Sequence, residues 1–443
     1  MKYDESEGDI NVSPERNEWQ ERHLNDETRA LLEEDSRYFM HQALSTPCLN
    51  VLTNSEGSTF QDFEGRRYLD FHGNAAHQVG FNNPAVIDAI KSQLDTLPFS
   101  PRRYTNEPAI RLAKRLTDAA PMEDARLLFA PGGAEVNSMA LQYARQATGR
   151  FKTISFWEAF HGGTLDTISV GGEAMFRSGA GPLMPGAIHV PPPRVQTSGW
   201  EESVAHIEYV MEHEGDIAAF IAEPIRCTNM YQPPAAYWQA VRDVCDRNGT
   251  LLIFDEIPIG LGRSGYMFCN EYTGIVPDII TLGKGLGGGV VPLAAMIARA
   301  DLNVAGNRAI GHFTHEKSPV ACAAGNAVLD IIEKESLVQR ANSKGARFKD
   351  SLEQLVQRHD CAVNVQGMGL LLALEVESKS AEQSTSELTN RLLYSCLERG
   401  LNFKTSNGRY IILTPPLTVS EDGIDEAVAI IDSALTDVSE ACA

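Results

Sequence analysis

Residues 251–289 read LLIFDEIPIGLGRSGYMFCNEYTGIVPDIITLGKGLGGG. They hold all but the first residue of one short apolar run, Thr250 to Phe254, and the whole of a second, Ile279 to Leu282, whose largely hydrophobic make-up suits strands covered on both faces. Each run delivers one charged group: Asp255 closes the first, and Lys284, flanked by Gly283 and Gly285, follows the second. Working outward, similar runs recur at Leu127 to Ala130, Thr153 to Phe156, Ala218 to Ala222 and Leu293 to Ile297, separated by longer helical patterns. This alternation predicts an α/β fold with a largely parallel sheet between helices. Nearly every run ends in a polar or Gly-containing turn, and open α/β sheets bind ligands at the carboxyl ends of their strands. The site is expected along that edge.

The flanks read differently. Residues 1–24 are charged and poor in apolar side chains, which predicts a flexible arm or a segment docked on a partner subunit. Asn25 to Met40 has helical spacing, and Tyr68 to Phe71 reads as a short strand after the turn at Glu64-Gly65. This entry segment is expected to pack against the C-terminal part. Beyond Pro319 a long helix, ACAAGNAVLDIIEKESL, leads into an α+β tail with strands near Gly369 to Glu375 and Tyr410 to Leu413. A chain of 443 residues exceeds one ordinary core. The expected division is an arm (1–24), an N-terminal segment of a small domain (25–75), a large ligand-binding domain (76–330) and a C-terminal small domain (331–443).

Composition narrows the function. With 38 Lys and Arg against 59 Asp and Glu, the formal charge of −21 disfavours nucleic acid and anionic membrane as partners. An anionic substrate then needs its own basic pocket. No apolar run approaches the roughly 20 residues of a membrane span. The opening MKYDESEGDINVSPERNEWQ has no basic region followed by an apolar stretch, so a cytoplasmic location is expected. Eight cysteines are scattered without a Cys-x-x-Cys pair, the pattern of reduced thiols, and no metal site is expected.

Lys284 stands where an ammonium is partly desolvated and backbone approaches a ligand closely, a setting suited to Schiff-base chemistry. A lysine in a Gly-rich loop is more often a solvated turn residue or a phosphate contact, and no Walker A order is present. Asp255 is a carboxylate at the end of a strongly apolar strand, costly unless it meets a cation; the pyridinium nitrogen of pyridoxal 5'-phosphate (PLP) is such a cation, a helix N-cap or ion pair the plainer account. Ala130-Pro131-Gly132-Gly133-Ala134-Glu135-Val136-Asn137 is a Gly-rich turn between strand and helix, where free N–H groups cradle a phosphate or simply make a tight connection. In Phe160-His161-Gly162 an aromatic is placed to stack on a pyridine ring, or to fill the core. Thr314 is the fifth feature, a hydroxyl able to reach a phosphate, although an isolated threonine carries no signal of its own.

In this order the five features resemble the class III (ω-type) aminotransferase family of PLP fold type I enzymes over about residues 40 to 435. Further matches are Glu223-Pro224-Ile225 after a strand, Gly260-Leu261-Gly262-Arg263-Ser264-Gly265 after Asp255-Glu256, and Pro415-Pro416-Leu417. The resemblance implies a mostly parallel seven-stranded sheet in a large domain, with a smaller α+β domain built from both termini. It also implies PLP bound by Gly133, Ala134, Phe160, His161, Glu223, Asp255, Lys284 and Thr314, with Lys284 and Asp255 catalytic. It further implies a homodimer with shared active sites, Thr314 reaching the neighbouring subunit's phosphate.

The sequence also departs from that family. Members that use 2-oxoglutarate place an arginine three residues before the Pro-Pro pair; here it is Ile412. The glutamate that pairs with it is replaced by Thr228, and the usual glutamine three residues after the aspartate is Pro258. A keto acid would lose its bidentate clamp, at a cost of roughly 2–5 kcal/mol, unless Arg409 substitutes. Elimination, which needs no second substrate, is the alternative to transamination. Phe99-Ser100-Pro101-Arg102-Arg103-Tyr104, with His72 and Asn74 upstream, lies where the family places substrate contacts. Adjacent arginines suit a phosphonate or phosphate, although one of them is expected in a structural ion pair. Together these segments resemble ammonia-lyases of phosphonate breakdown that act on a small hydroxylated aminophosphonate. The other activities carried are an ω-aminotransferase and a phospho-lyase on a phosphorylated amino alcohol.

Overall fold

The structure is a computed structural model that describes residues 6–193, 199–228 and 230–440. Seven strands form the central sheet, in the spatial order Arg126–Ala130, Ala294–Ala298, Ile279–Leu282, Leu251–Asp255, Ile217–Ala222, Lys152–Phe156, Ala187–Val190. All neighbours run parallel except Ala294–Ala298, which is antiparallel to both of its partners. The expected strands are all present. Ala187–Val190 is an additional one, a four-residue edge strand with a central histidine that shows no apolar run.

Side chains on these strands alternate between two cores. Leu251 and Ile253 face the helix Gly133–Thr148, packing with Val136, Met139 and Ala140. Leu252 and Phe254 face the opposite side, against Trp238, Val241 and Val244 of the helix Ala235–Asn248. Every one of these residues is fully or nearly fully buried, and full burial of a Leu, Ile or Phe side chain contributes about 1.5–3 kcal/mol. The sheet is thus rigid at both faces, and the groups at its carboxyl edge inherit that rigidity.

The two ends of the chain meet in the smaller part. The antiparallel strands Leu52–Glu56, Thr59–Asp62 and Arg67–Asp70 are extended by Leu401–Asn402, which runs parallel to Arg67–Asp70. A second antiparallel sheet joins Ala362–Met368, Leu371–Val376, Tyr410–Leu413 and Lys404–Ser406. Ala362–Met368 was not expected, because its polar alternation (AVNVQGM) carries little strand signal. The helix expected to run through Leu337 ends at Lys334; Ser336 is left-handed (φ 51°) and starts a second helix, Leu337–Arg358.

The N-terminal segment requires a correction. Residues 6–24 are neither loose nor separate from their own chain: a helix, Pro14–His23, is capped by Ser13 and buries Trp19 against Tyr394 and Leu397 of the helix Thr385–Glu398. Trp19 is the one large apolar side chain of this polar helix, and averaging over its charged neighbours hides it; Arg16 and Gln20 add hydrogen bonds to the Pro47 and Leu49 carbonyls. Among the described residues no helix is long and apolar enough to cross a membrane, and seven cysteines are free thiols.

Candidate active site

A cavity of about 670 Å³ opens at the carboxyl edge of the sheet, where the large and small parts meet. Asp255, Lys284, Gly133, Ala134, Phe160, His161, Glu223, His72 and Asn74 all line it. Sequences far apart are brought together because each lies just beyond a strand end.

Asp255 is 2% exposed and closes its strand. Its Oδ2 accepts from Asn137 Nδ2 (2.8 Å) and from the His161 Nδ1 side (2.8 Å), and its Oδ1 accepts from the Ile257 N–H (3.1 Å). Burial pushes this carboxyl up, but the hydrogen bond and charge of His161, then Asn137 and the Ile257 N–H, outweigh it and hold the group below its ordinary range. An ionised Asp255 requires the proton on His161 Nδ1. Asn137 also donates to the His161 carbonyl (2.8 Å) and accepts from Thr281 Oγ1 (2.8 Å), so that three elements lock one carboxylate.

Lys284 follows the strand Ile279–Leu282 with a left-handed φ of 46°, a conformation costing about 1–3 kcal/mol in a non-glycine residue. Among the described residues its amine has no hydrogen-bond or ion-pair partner. Gly285 packs on Gln78, where a Cβ would come within 2.6 Å of that side chain.

The helix Gly133–Thr148 begins at Gly132 with no side-chain cap, leaving its first N–H groups to the cavity. A Cβ on Gly133 would approach Ile257 to 2.9 Å, so the cradle needs glycine there. Gly162, at φ 131°, lies against Ala134, where a Cβ would sit 2.6 Å from the Ala134 Cα. Phe160 presents its ring to the cavity, supported by Phe176 at 4.5 Å between centroids. A buried carboxylate, a free amine, an aromatic wall and an uncapped helix start match PLP point for point: ring nitrogen, aldehyde, ring face and phosphate.

The polar wall holds residues that sequence reading missed. Fully buried Arg226 pairs with both Glu223 and Glu173. Burial, only partly offset by Arg226 and reinforced by Glu7, holds the Glu173 carboxyl up at about 7. Lys404 pairs with Glu7 from the N-terminal segment, which also lines the cavity with Asp9, Asn11 and Arg16. Arg226 directly follows Glu223-Pro224-Ile225 and carries no signal beyond a charge inside a buried stretch; Lys404 and Glu7 are 397 residues apart.

Other expected contacts lie elsewhere. Arg102 pairs with Glu316 at 3.2 Å, and Arg103 and Tyr104 are exposed; none of the three lines the chain's own cavity. Adjacent side chains diverge, and the nearest carboxylate takes the first arginine. Thr314 is exposed and lies outside this cavity too. Arg409 turns away to Glu375 (3.4 Å), whereas Ile412 and Thr228, in the two switch positions, line the cavity with Pro258.

His72 is held neutral, its pKa lowered to about 3 by burial and by Lys404 and Lys284, against a hydrogen bond with Asn74. His77, beneath it, is lowered to about 3 by burial, then Arg263. Both titrate near 6.5 when unfolded, so between about pH 3 and 6.5 the unfolded chain binds the extra protons. Their stabilisation is complete above pH 6.5 and is lost as pH falls toward 3. The melting temperature should therefore decline on acidification below 6.5, and His77→Asn should make that decline shallower; an unchanged slope in the variant would exclude His77 as a contributor.

The model of the class III aminotransferases matches residues 40–435. This chain belongs to the class III aminotransferase family. Its cofactor is accordingly PLP, as the site geometry indicates, and the chain is a PLP-dependent enzyme. Among class III relatives, the (R)-1-hydroxy-2-aminoethylphosphonate ammonia-lyase of Vibrio splendidus (strain 12B01) is 43% identical, over 98% of this chain and 95% of that one. The acetylornithine aminotransferase of Caldanaerobacter subterraneus subsp. tengcongensis is 34% identical, over 88% and 95%. The class III fold is equally plain in solved structures. The omega transaminase of Pseudomonas jessenii in complex with PMP superposes with a TM-score of 0.87 at 28% identity, over 93% of this chain and 99% of that chain. A Bacillus anthracis aminotransferase gives 0.86 at 29%, over 94% and 99%.

Proposed function

We propose that the enzyme is an ammonia-lyase that converts (R)-1-hydroxy-2-aminoethylphosphonate to phosphonoacetaldehyde and ammonia, a step of phosphonate breakdown. The observation that carries this reading is the apolar Ile412 facing the cavity where keto-acid transaminases of the family place an arginine, with Arg409 committed to Glu375. A keto-acid carboxylate there would be left without its clamp. The 43% identity to the Vibrio splendidus lyase supports the same substrate.

When bound, PLP draws into its ring the electron pair released at the carbon bearing nitrogen. The protein supplies the rest. Asp255, kept ionised by His161 and Asn137, secures a proton on the ring nitrogen. The freed amine of Lys284 takes the proton from the carbon bearing nitrogen and then, as ammonium, gives it to the departing hydroxyl of the neighbouring carbon. His72 is a poor acid for that step because it is already neutral, and Tyr104 is 68% exposed and outside the cavity. Loss of hydroxide as water leaves an enamine that tautomerises and takes up one water, so that aldehyde and ammonia form with no acceptor consumed. The reading includes a homodimer, with Thr314 contributing to the neighbouring subunit's phosphate site, working in the cytoplasm.

Holoenzyme mixed with (R)-1-hydroxy-2-aminoethylphosphonate and no keto acid is expected to release ammonia continuously, many equivalents per active site. A single equivalent, followed by loss of the cofactor's visible absorbance, would make the protein an aminotransferase instead. Release of inorganic phosphate from a phosphorylated amino alcohol would make it a phospho-lyase.

A further inference from the structure

The N-terminal segment forms a built wall of the active site. Ser406 Oγ donates to the Ser6 carbonyl (2.6 Å), and Tyr394 OH donates to Asp9 Oδ2 (2.5 Å). Asp9 in turn accepts from the Val12 and Ser13 N–H groups, both at 3.2 Å, and from Ser13 Oγ at 2.6 Å. Between these anchors Gly8 adopts φ 88° and lies flush on Thr405, where a Cβ would come within 2.6 Å of the Thr405 carbonyl oxygen. The strap thereby aims Glu7 at Lys404, and the two side chains keep only 12% and 19% of their surface.

The charges at this wall are unequal in their commitments. Arg226 is spent on two buried carboxylates, Glu173 and Glu223, and Lys284 is required for chemistry. Lys404 lines the same cavity, and its field and that of Lys284 both act on His72. Glu7, belonging to a segment that reaches the cavity from outside the sheet, is the partner that water accepts most cheaply when released.

We propose that Lys404 receives the anionic head of the substrate, a phosphonate or phosphate, and that the Glu7 carboxylate holds that position until the substrate displaces it. This rests on the aminophosphonate reading above. The exchange keeps Lys404 paired throughout, so no partly buried ammonium is left bare, and a dianion offers it stronger charge-assisted hydrogen bonds than a carboxylate. Rotation of the Glu7 side chain suffices, because Asp9 anchors the strap independently.

Methylphosphonate titrated calorimetrically into the PLP-loaded enzyme tests the site without turnover. Lys404→Met is expected to weaken binding at least tenfold, Lys404→Arg to retain most of it, and Glu7→Gln, which removes the internal competitor, to tighten it at least threefold. The same order is expected in KM for the hydroxylated aminophosphonate. Unchanged binding in either Lys404→Met or Glu7→Gln, or weaker binding in Glu7→Gln, overturns the proposal. If Lys404→Met fails to fold with cofactor, Glu7→Gln decides alone. Should the wild-type enzyme release no ammonia from the aminophosphonate yet show this binding order, the lyase reading falls while the anion site stands.

Discussion

Replacing Lys284 with alanine is expected to end continuous ammonia release, lowering kcat by about 10⁴-fold or more, because one amine serves both as base and as acid. The visible absorbance of the lysine-bound cofactor should vanish with it, whereas the melting temperature of the cofactor-free protein should hold or rise. Lys284 has no partner to lose among the described residues and carries a left-handed backbone strain that a change of side chain does not relieve. Activity persisting near the wild-type rate, or an unaltered visible spectrum, would remove the chemical basis of the assignment.

The second large effect is expected at Asp255. Asparagine at this position can still accept from His161 and Asn137, so the fold should survive while the charge that keeps the ring nitrogen protonated is gone. A fall in kcat of about 10²–10³-fold is expected for Asp255→Asn, the scale of losing one preorganised electrostatic contact. Asp255→Ala should add a stability defect, since two buried donors lose their acceptor at about 1–3 kcal/mol each. Because the carboxyl is held below its ordinary range, it stays ionised at neutral pH, and its stabilisation should be present above about pH 4 and lost only as pH falls through the lower folded value. Full activity in Asp255→Asn would show that the ring nitrogen is not held this way.

The sheet was legible because strands buried on both faces are dominated by apolar side chains, and six of its seven read that way. Ala187–Val190 escaped because an edge strand of four residues with a histidine needs no such run. Lys284, Asp255 and the Gly132-Gly133 turn were legible for a related reason: a charge or a glycine pair at the end of an apolar strand contradicts its surroundings unless a ligand explains it. Arg102 and Arg103 lie outside this chain's own cavity, and the ion pair of Arg102 with Glu316 is the structural pairing expected of one of two adjacent arginines. Lys404 and Glu7 were invisible because a pairing across 397 residues depends on how Ser406 and Tyr394 hold the N-terminal segment, which no local pattern announces.

That the first segment of the chain forms part of the catalytic chamber bears on how the protein is best handled. An affinity tag fused ahead of Met1 would be separated from Glu7 by only six residues, close enough to pull on the strap or to offer its own histidines and carboxylates to the chamber. A tag at the opposite end stands beyond the helix Glu421–Glu440, and among the described residues none of that helix lines the chamber. Preparations labelled at one end and at the other should therefore differ in KM, and only the second reports the native enzyme.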